Sequence, residues 1–119
     1  IPKCMADRRQ MKQVFKNLID NSIKYLDPNR KGHIRISGVK QKPESIYCIE
    51  DNGIGVPEEY AKVIFDIFQR LVRKENTPGE GLGLTIVKRI IARNKGRVWM
   101  ESEEGKGTRF YLALPAARD

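Results

Sequence analysis

Histidine and cysteine are scarce in this chain, and their scarcity removes several kinds of chemistry. There is one histidine, His33, and there are two cysteines, Cys4 and Cys48, which do not form a CxxC pair. A zinc site needs about four nitrogen, sulfur or oxygen ligands clustered in space, and no such spacing is present. Two thiols do not make a disulfide scaffold, so a reducing compartment is expected, with Cys48 as a core residue inside its apolar run. No apolar run approaches the roughly 20 residues that span a bilayer. No signal peptide opens the sequence, and repeats, low-complexity tracts and interdomain linkers are lacking.

What is there fits one domain over residues 1–119, with 39% hydrophobic and 32% charged residues. The start at Ile1 reads as a piece of something longer. The net charge of +8 favours anionic partners such as nucleotides, nucleic acid or acidic protein surfaces, and is equally that of a merely soluble basic surface. The Lys and Arg residues are scattered without an aromatic pattern among them, so no nucleic-acid partner is expected.

Asp7 is placed to cap a helix running to about Leu26. Its apolar positions Met11, Val14, Phe15, Leu18, Ser22 and Leu26 recur at helical spacing, and Asp27-Pro28-Asn29 stops it. Residues 33–39 and 45–50 read as strands around a Lys42-Pro43 turn. Pro57-Glu58-Glu59 opens a short helix to about Phe65. Residues 66–80 lack periodicity, and a loop that long in a small domain is usually functional. A further helix starts near Gly81 and stops at Gly96. Residues 97–102 and 108–114 are two more strands joined by Glu104-Gly105-Lys106-Gly107. Hairpins interrupted by helices predict an α+β fold, with helices on one face of a mixed, largely antiparallel sheet.

Three constellations suggest chemistry. Asn17 and Asn21 stand one turn apart on the first helix, with Lys24 next on the same stripe beside the apolar face. Amide oxygens are hard ligands suited to Mg²⁺, and an ammonium meets phosphate as a point charge. The same stripe is also what an ordinary solvated helix flank looks like. Asp51-Asn52-Gly53-Ile54-Gly55 ends a strand in a carboxylate, able to accept a bond from an exocyclic amine, followed by glycines that admit close approach of a ligand. A tight turn has similar composition. Gly79-Glu80-Gly81-Leu82-Gly83-Leu84-Thr85 runs into a helix N-terminus, a ready anion site. It has neither the P-loop ending nor the preceding strand of a dinucleotide fingerprint. Gly105-Lys106-Gly107-Thr108 reads first as a hairpin turn. Phe65 and Phe68 are either core aromatics or the base of a moving loop.

In order and spacing these segments resemble the boxes of sensor histidine kinases. Residues 17–25, NLIDNSIKY, resemble the asparagine box, and Asp51 to Gly55 the first glycine box. Residues 64–71, IFDIFQRL, are similar to the phenylalanine box, Gly79 to Leu84 to the second glycine box, and Gly105-x-Gly107-Thr108 to the last. The resemblance covers about Asp7 to Pro115 and implies the Bergerat ATP-binding fold, a two-layer α/β sandwich.

Position by position, it implies Asn21 as Mg²⁺ ligand with Asn17 assisting, and Lys24 on phosphate with Tyr25 near the nucleotide. Asp51 would hold the adenine amine, and Gly53 and Gly55 would shape the purine pocket. Gly79, Gly81, Leu82, Gly83 and Leu84 would close over the phosphates, Thr108 would border the nucleotide, and Arg70 would meet the γ-phosphate, with Arg73 and Lys74 behind it. Hydrolysing relatives resemble one another in carrying Glu four residues before the metal asparagine. Asn17 stands there instead, and a neutral amide is a poor general base.

The resemblance therefore implies transfer of a phosphoryl group from ATP to a histidine on a separate helical dimerisation domain of a homodimeric, two-component sensor kinase. A response regulator receiver domain would be the next partner and the cytoplasm the site of action. The alternative is a nucleotide-gated interaction module of the same fold. His33, at a strand start, is expected to be an ordinary surface residue. Glu80 replaces a small hydroxyl residue, and Ser22 the usual alanine.

Overall fold

The computed structural model describes residues 4–57, 59 and 82–117. Helix α1 spans Arg8–Lys24. Asp7 caps it in an extended conformation, its carboxylate accepting from the Gln10 amide at 2.9 Å, which satisfies one donor that the first turn would leave orphaned. The predicted stripe is inward: Met11, Val14, Leu18 and Ser22 are buried. Phe15 meets Tyr47 edge-on at 5.8 Å. The helix stops at Lys24, short of the expected Leu26, and the Tyr25 amide still donates to the Asn21 carbonyl.

Four strands follow the predicted order: β1 (Ile34–Gln41), β2 (Glu44–Asp51), β3 (Arg97–Glu103) and β4 (Gly107–Pro115). They lie as β1-β2-β4-β3, and every pair among them is antiparallel. Helix α2 (Leu82–Arg93) packs beside α1 on one face. The expected helix from Pro57 to Phe65 and the long loop after it lie outside the described residues. The bridge between Cys4 and Ala116 closes the far end of the sheet.

Strand alternation decides which side chains face the helices. In β2, Ser45, Tyr47, Ile49 and Asp51 are buried while the residues between them are half-buried. Tyr47 and Ile49 join Val14, Leu18, Leu84, Val87, Ile91, Phe110, Leu112 and Leu114 in one core. Each such aliphatic side chain contributes about 1.5–3 kcal/mol on burial. Cys48 therefore departs from its expected place in the core. It occupies the alternate register, half-buried on the sheet's other face beside Tyr111. Burial and then the neighbouring Glu50 push its thiol up, so it stays protonated. On that same face, Tyr111 stacks on Trp99 with ring centroids 5.2 Å apart.

The end of α2 differs in one respect. Lys95, not Gly96, takes the left-handed conformation, at φ 62°. Gly96 sits so close to the Ala113 carbonyl that a Cβ would overlap it.

Candidate nucleotide-binding site

The strand ends that carry Asp51 form one cross-strand row. Ile34 opposes Asp51, Asp51 opposes Thr108, and Thr108 opposes Ser102. By alternation this row faces the helices, and it lies at the sheet end where α1 also finishes. Asp51 is only 6% exposed. Its Oδ1 accepts from the Gly53 amide at 2.9 Å, which holds the carboxylate. A carboxylate so buried is stable only with donors around it. Thr108 Oγ1 and Ser102 Oγ lie 2.8 Å apart, and Ser102 Oγ also accepts from the Val56 amide at 2.8 Å and donates to the Gly107 carbonyl at 3.0 Å.

The loop after β2 is knitted to both flanks through its backbone. The Ile54 amide donates to the Tyr25 carbonyl at 2.9 Å, and the Gly105 amide donates to the Ile54 carbonyl at 2.8 Å. A Cβ on Gly53 would overlap the Tyr25 carbonyl oxygen, so this contact demands glycine. Gly55 adopts φ 66° against the Glu103 carbonyl. Tyr25 thus enters the site through its carbonyl, a role the sequence reading did not foresee.

The other half of the site comes from side chains. Asn17 and Asn21 are half-buried on the flank of α1, as the stripe predicts, and Lys24 is exposed, its ammonium 5.6 Å from the Tyr25 ring centroid. Asn17 Nδ2 makes a long 3.5 Å contact to the Gly83 carbonyl in the first turn of α2. That contact brings the asparagine stripe and the glycine-rich helix start together and turns the Asn17 oxygen away from Gly83. Leu84 packs in the core at 2% exposure, so only its backbone is placed to serve a ligand. Leu82 begins α2. Gly79, Gly81 and Arg70, with Arg73, Lys74 and Glu80, lie outside the described residues.

No cluster of three or more His, Cys, Asp or Glu side chains suited to a metal exists among the described residues. The oxygen donors beside the site are the amides of Asn17 and Asn21. That set fits Mg²⁺, which takes few protein ligands and keeps water and phosphate oxygens for the rest. The large open groove of about 730 Å³ at this end of the sheet is lined by Asp51, Asn52, Ser102 and Thr108, and also by Glu50 and Arg109 of the opposite face. It does not include the asparagine stripe. The row of Asp51 and the hydrogen-bonded loop, not that groove, define the site. His33 is exposed at the start of β1, its backbone bonded to Asn52, as expected of a surface residue. Among the described residues no helix is long and apolar enough to cross a membrane.

Comparison with known proteins bears on the family of the chain. Residues 6–118 match the family described as histidine kinase-, DNA gyrase B-, and HSP90-like ATPase. The chain is 41% identical over 115 residues to the phytochrome-like protein Cph1 of Synechocystis, covering 97% of this chain and 15% of that protein. It is 36% identical over 119 residues to the adaptive-response sensory kinase SasA of Synechococcus elongatus, covering 99% of this chain and 30% of that one. Among solved structures, full-length ShkA in complex with AMPPNP superposes with a TM-score of 0.80 at 27% identity, over 100% of this chain and 24% of that one. The nucleotide-free catalytic domain of histidine kinase ThkA gives 0.71 at 30% identity, over 93% and 69%. The chain thus spans a small part of its curated relatives, and it belongs to the histidine kinase-, DNA gyrase B- and HSP90-like ATPase family.

Proposed function

We propose that this domain binds Mg–ATP and donates the γ-phosphoryl group to a histidine on a separate helical dimerisation domain of the same sensor kinase. The observation that carries the reading is Asp51: a nearly buried carboxylate, with one oxygen tied to Gly53, at the sheet end whose loop bonds the end of α1 at Tyr25. Such a group, with Oδ1 held by the Gly53 amide, is suited to accept a hydrogen bond from an adenine amine. Asn21, assisted by Asn17, would hold Mg²⁺, which when bound neutralises phosphate charge. Lys24 adds a positive charge on the same flank. The N-terminus of α2 directs its dipole toward the phosphates. Arg70 and the glycines at 79 and 81 complete the phosphate side in this reading.

No residue at position 17 extracts a proton from water, so the domain aligns and neutralises without promoting hydrolysis. That division of labour suits transfer to a nucleophile delivered from outside. A response regulator receiver domain would accept the phosphoryl group next, in a homodimeric parent acting in the cytoplasm.

The test joins this chain to an acceptor-histidine helical domain and supplies γ-labelled ATP. Acid-labile label is expected on the acceptor histidine, and none on the 119-residue chain incubated alone. Label on His33 of the isolated chain, or no label on the acceptor histidine, would overturn the proposal.

A further inference from the structure

Arg30 lies between α1 and β1, in a segment whose composition signals only a turn. Its guanidinium donates from Nε to the Asn52 carbonyl at 2.8 Å, from Nη1 to the Gly105 carbonyl at 2.8 Å, and from Nη2 to the Gly53 carbonyl at 2.6 Å. These carbonyls belong to two separate segments, the loop after β2 and the β3–β4 turn. A planar fork with five donors is the side chain that spans such a set, and a lysine ammonium lacks that reach and geometry. Asp27 Oδ2 stands 3.8 Å from Nε. With the Arg30 side chain 36% exposed, that ion pair adds little, and the carbonyl bonds are what hold the group.

The segment held by Arg30 is the one that aims Asp51. Gly53 gives its amide to Asp51 Oδ1 and receives Arg30 Nη2 on its carbonyl. The guanidinium and the carboxylate are therefore linked through a single glycine. Asn52 closes the outer side: its Oδ1 accepts from the His33 amide at 2.7 Å, and its Nδ2 donates to the Lys31 carbonyl at 2.8 Å. Asn52 and Gly53 are thus pinned, and Arg30 couples them to the hairpin turn at Gly105.

We infer that Arg30 is a positioning residue for base recognition. It fixes Gly53 so that Asp51 presents its carboxylate in one orientation, and this sharpens selection of a 6-amino purine over a 6-oxo purine. The inference rests on the nucleotide reading above. Arg30 itself does not touch the base.

The test measures the affinities of the 119-residue chain for ADP and for inosine diphosphate, in which an oxo group replaces the 6-amino group. Wild type is expected to prefer ADP. In Arg30→Lys the preference should fall by about tenfold, the scale of one well-aligned hydrogen bond, through weaker ADP binding with inosine diphosphate affinity nearly unchanged. Arg30→Met, which removes all the donors, should lose more of the preference, and thermal melting checks that each variant is folded. If Arg30→Met does not fold, Arg30→Lys decides. A purely structural role would lower both affinities in parallel. An unchanged ADP-to-inosine ratio in folded variants therefore overturns the inference while leaving the nucleotide reading intact. Failure of the wild type to bind either nucleotide overturns that reading, and this inference with it.

Discussion

The two halves of the site are built differently. On the base side, the loop after β2 is bonded through its backbone to Tyr25, Gly105 and Arg30, and Asp51 is almost fully enclosed. On the phosphate side, Asn17 and Asn21 are half-buried, Lys24 is exposed, and the contact from Asn17 to the Gly83 carbonyl at the start of α2 is a long 3.5 Å. Backbone hydrogen bonds inside a sheet end cost little entropy on ligand binding, whereas exposed side chains must be ordered by the ligand itself. On the proposed function, the base side is thus prepared before a nucleotide arrives, and the phosphate side would be completed by the metal and phosphates it receives.

That contrast is open to test, beginning with the largest expected effect. Gly53→Ala places a Cβ into the Tyr25 carbonyl, which is backbone and cannot step aside. It should cost about 1–3 kcal/mol of stability and abolish adenine-nucleotide binding by fluorescence titration. Retained binding would mean that the base side is less rigid than its bonding implies. Asn21→Ala should act on the metal alone: affinity in Mg²⁺ should fall, by about tenfold, to the value measured with chelator, while binding in chelator stays the same. A loss of equal size with and without metal would remove Asn21 from the metal role. The smallest effect concerns Ser22, whose hydroxyl is fully buried without a hydrogen-bond partner among the described residues. Ser22→Ala should raise stability in denaturant melts by about 1 kcal/mol, because an orphaned buried hydroxyl costs free energy. Nucleotide affinity should not change, which would separate the core beneath α1 from its ligand-facing flank.

Much of this was legible because periodicity and punctuation are local. The α1 stripe, the Asp7 cap and the four strands follow from spacing alone. The family resemblance led to the expectation that Asp51 and the asparagines share one site. Helix and strand ends shifted by one to three residues, since the last hydrogen bonds, and not the stop residues, set them. Cys48 was misplaced because an apolar run does not show which face of a strand a residue occupies until the register is known. Gly96 was read as the stop of α2; Lys95 takes the left-handed conformation, and what requires glycine at 96 is a neighbouring strand 17 positions on, at Ala113. Arg30 was missed for the same reason: its partners at residues 52, 53 and 105 are remote in sequence, and a loop arginine carries no local mark of them. The Ser102–Thr108 pair also needed the β3–β4 register.

The central claim is that an adenine nucleotide sits with its amine on Asp51. Calorimetric titration of AMPPNP with Mg²⁺ into the wild-type chain and into Asp51→Asn tests it directly. The account predicts one site per chain in the wild type and affinity at least about tenfold weaker in the variant, the worth of a hydrogen bond to a charged group. Equal affinity in the two proteins would contradict it.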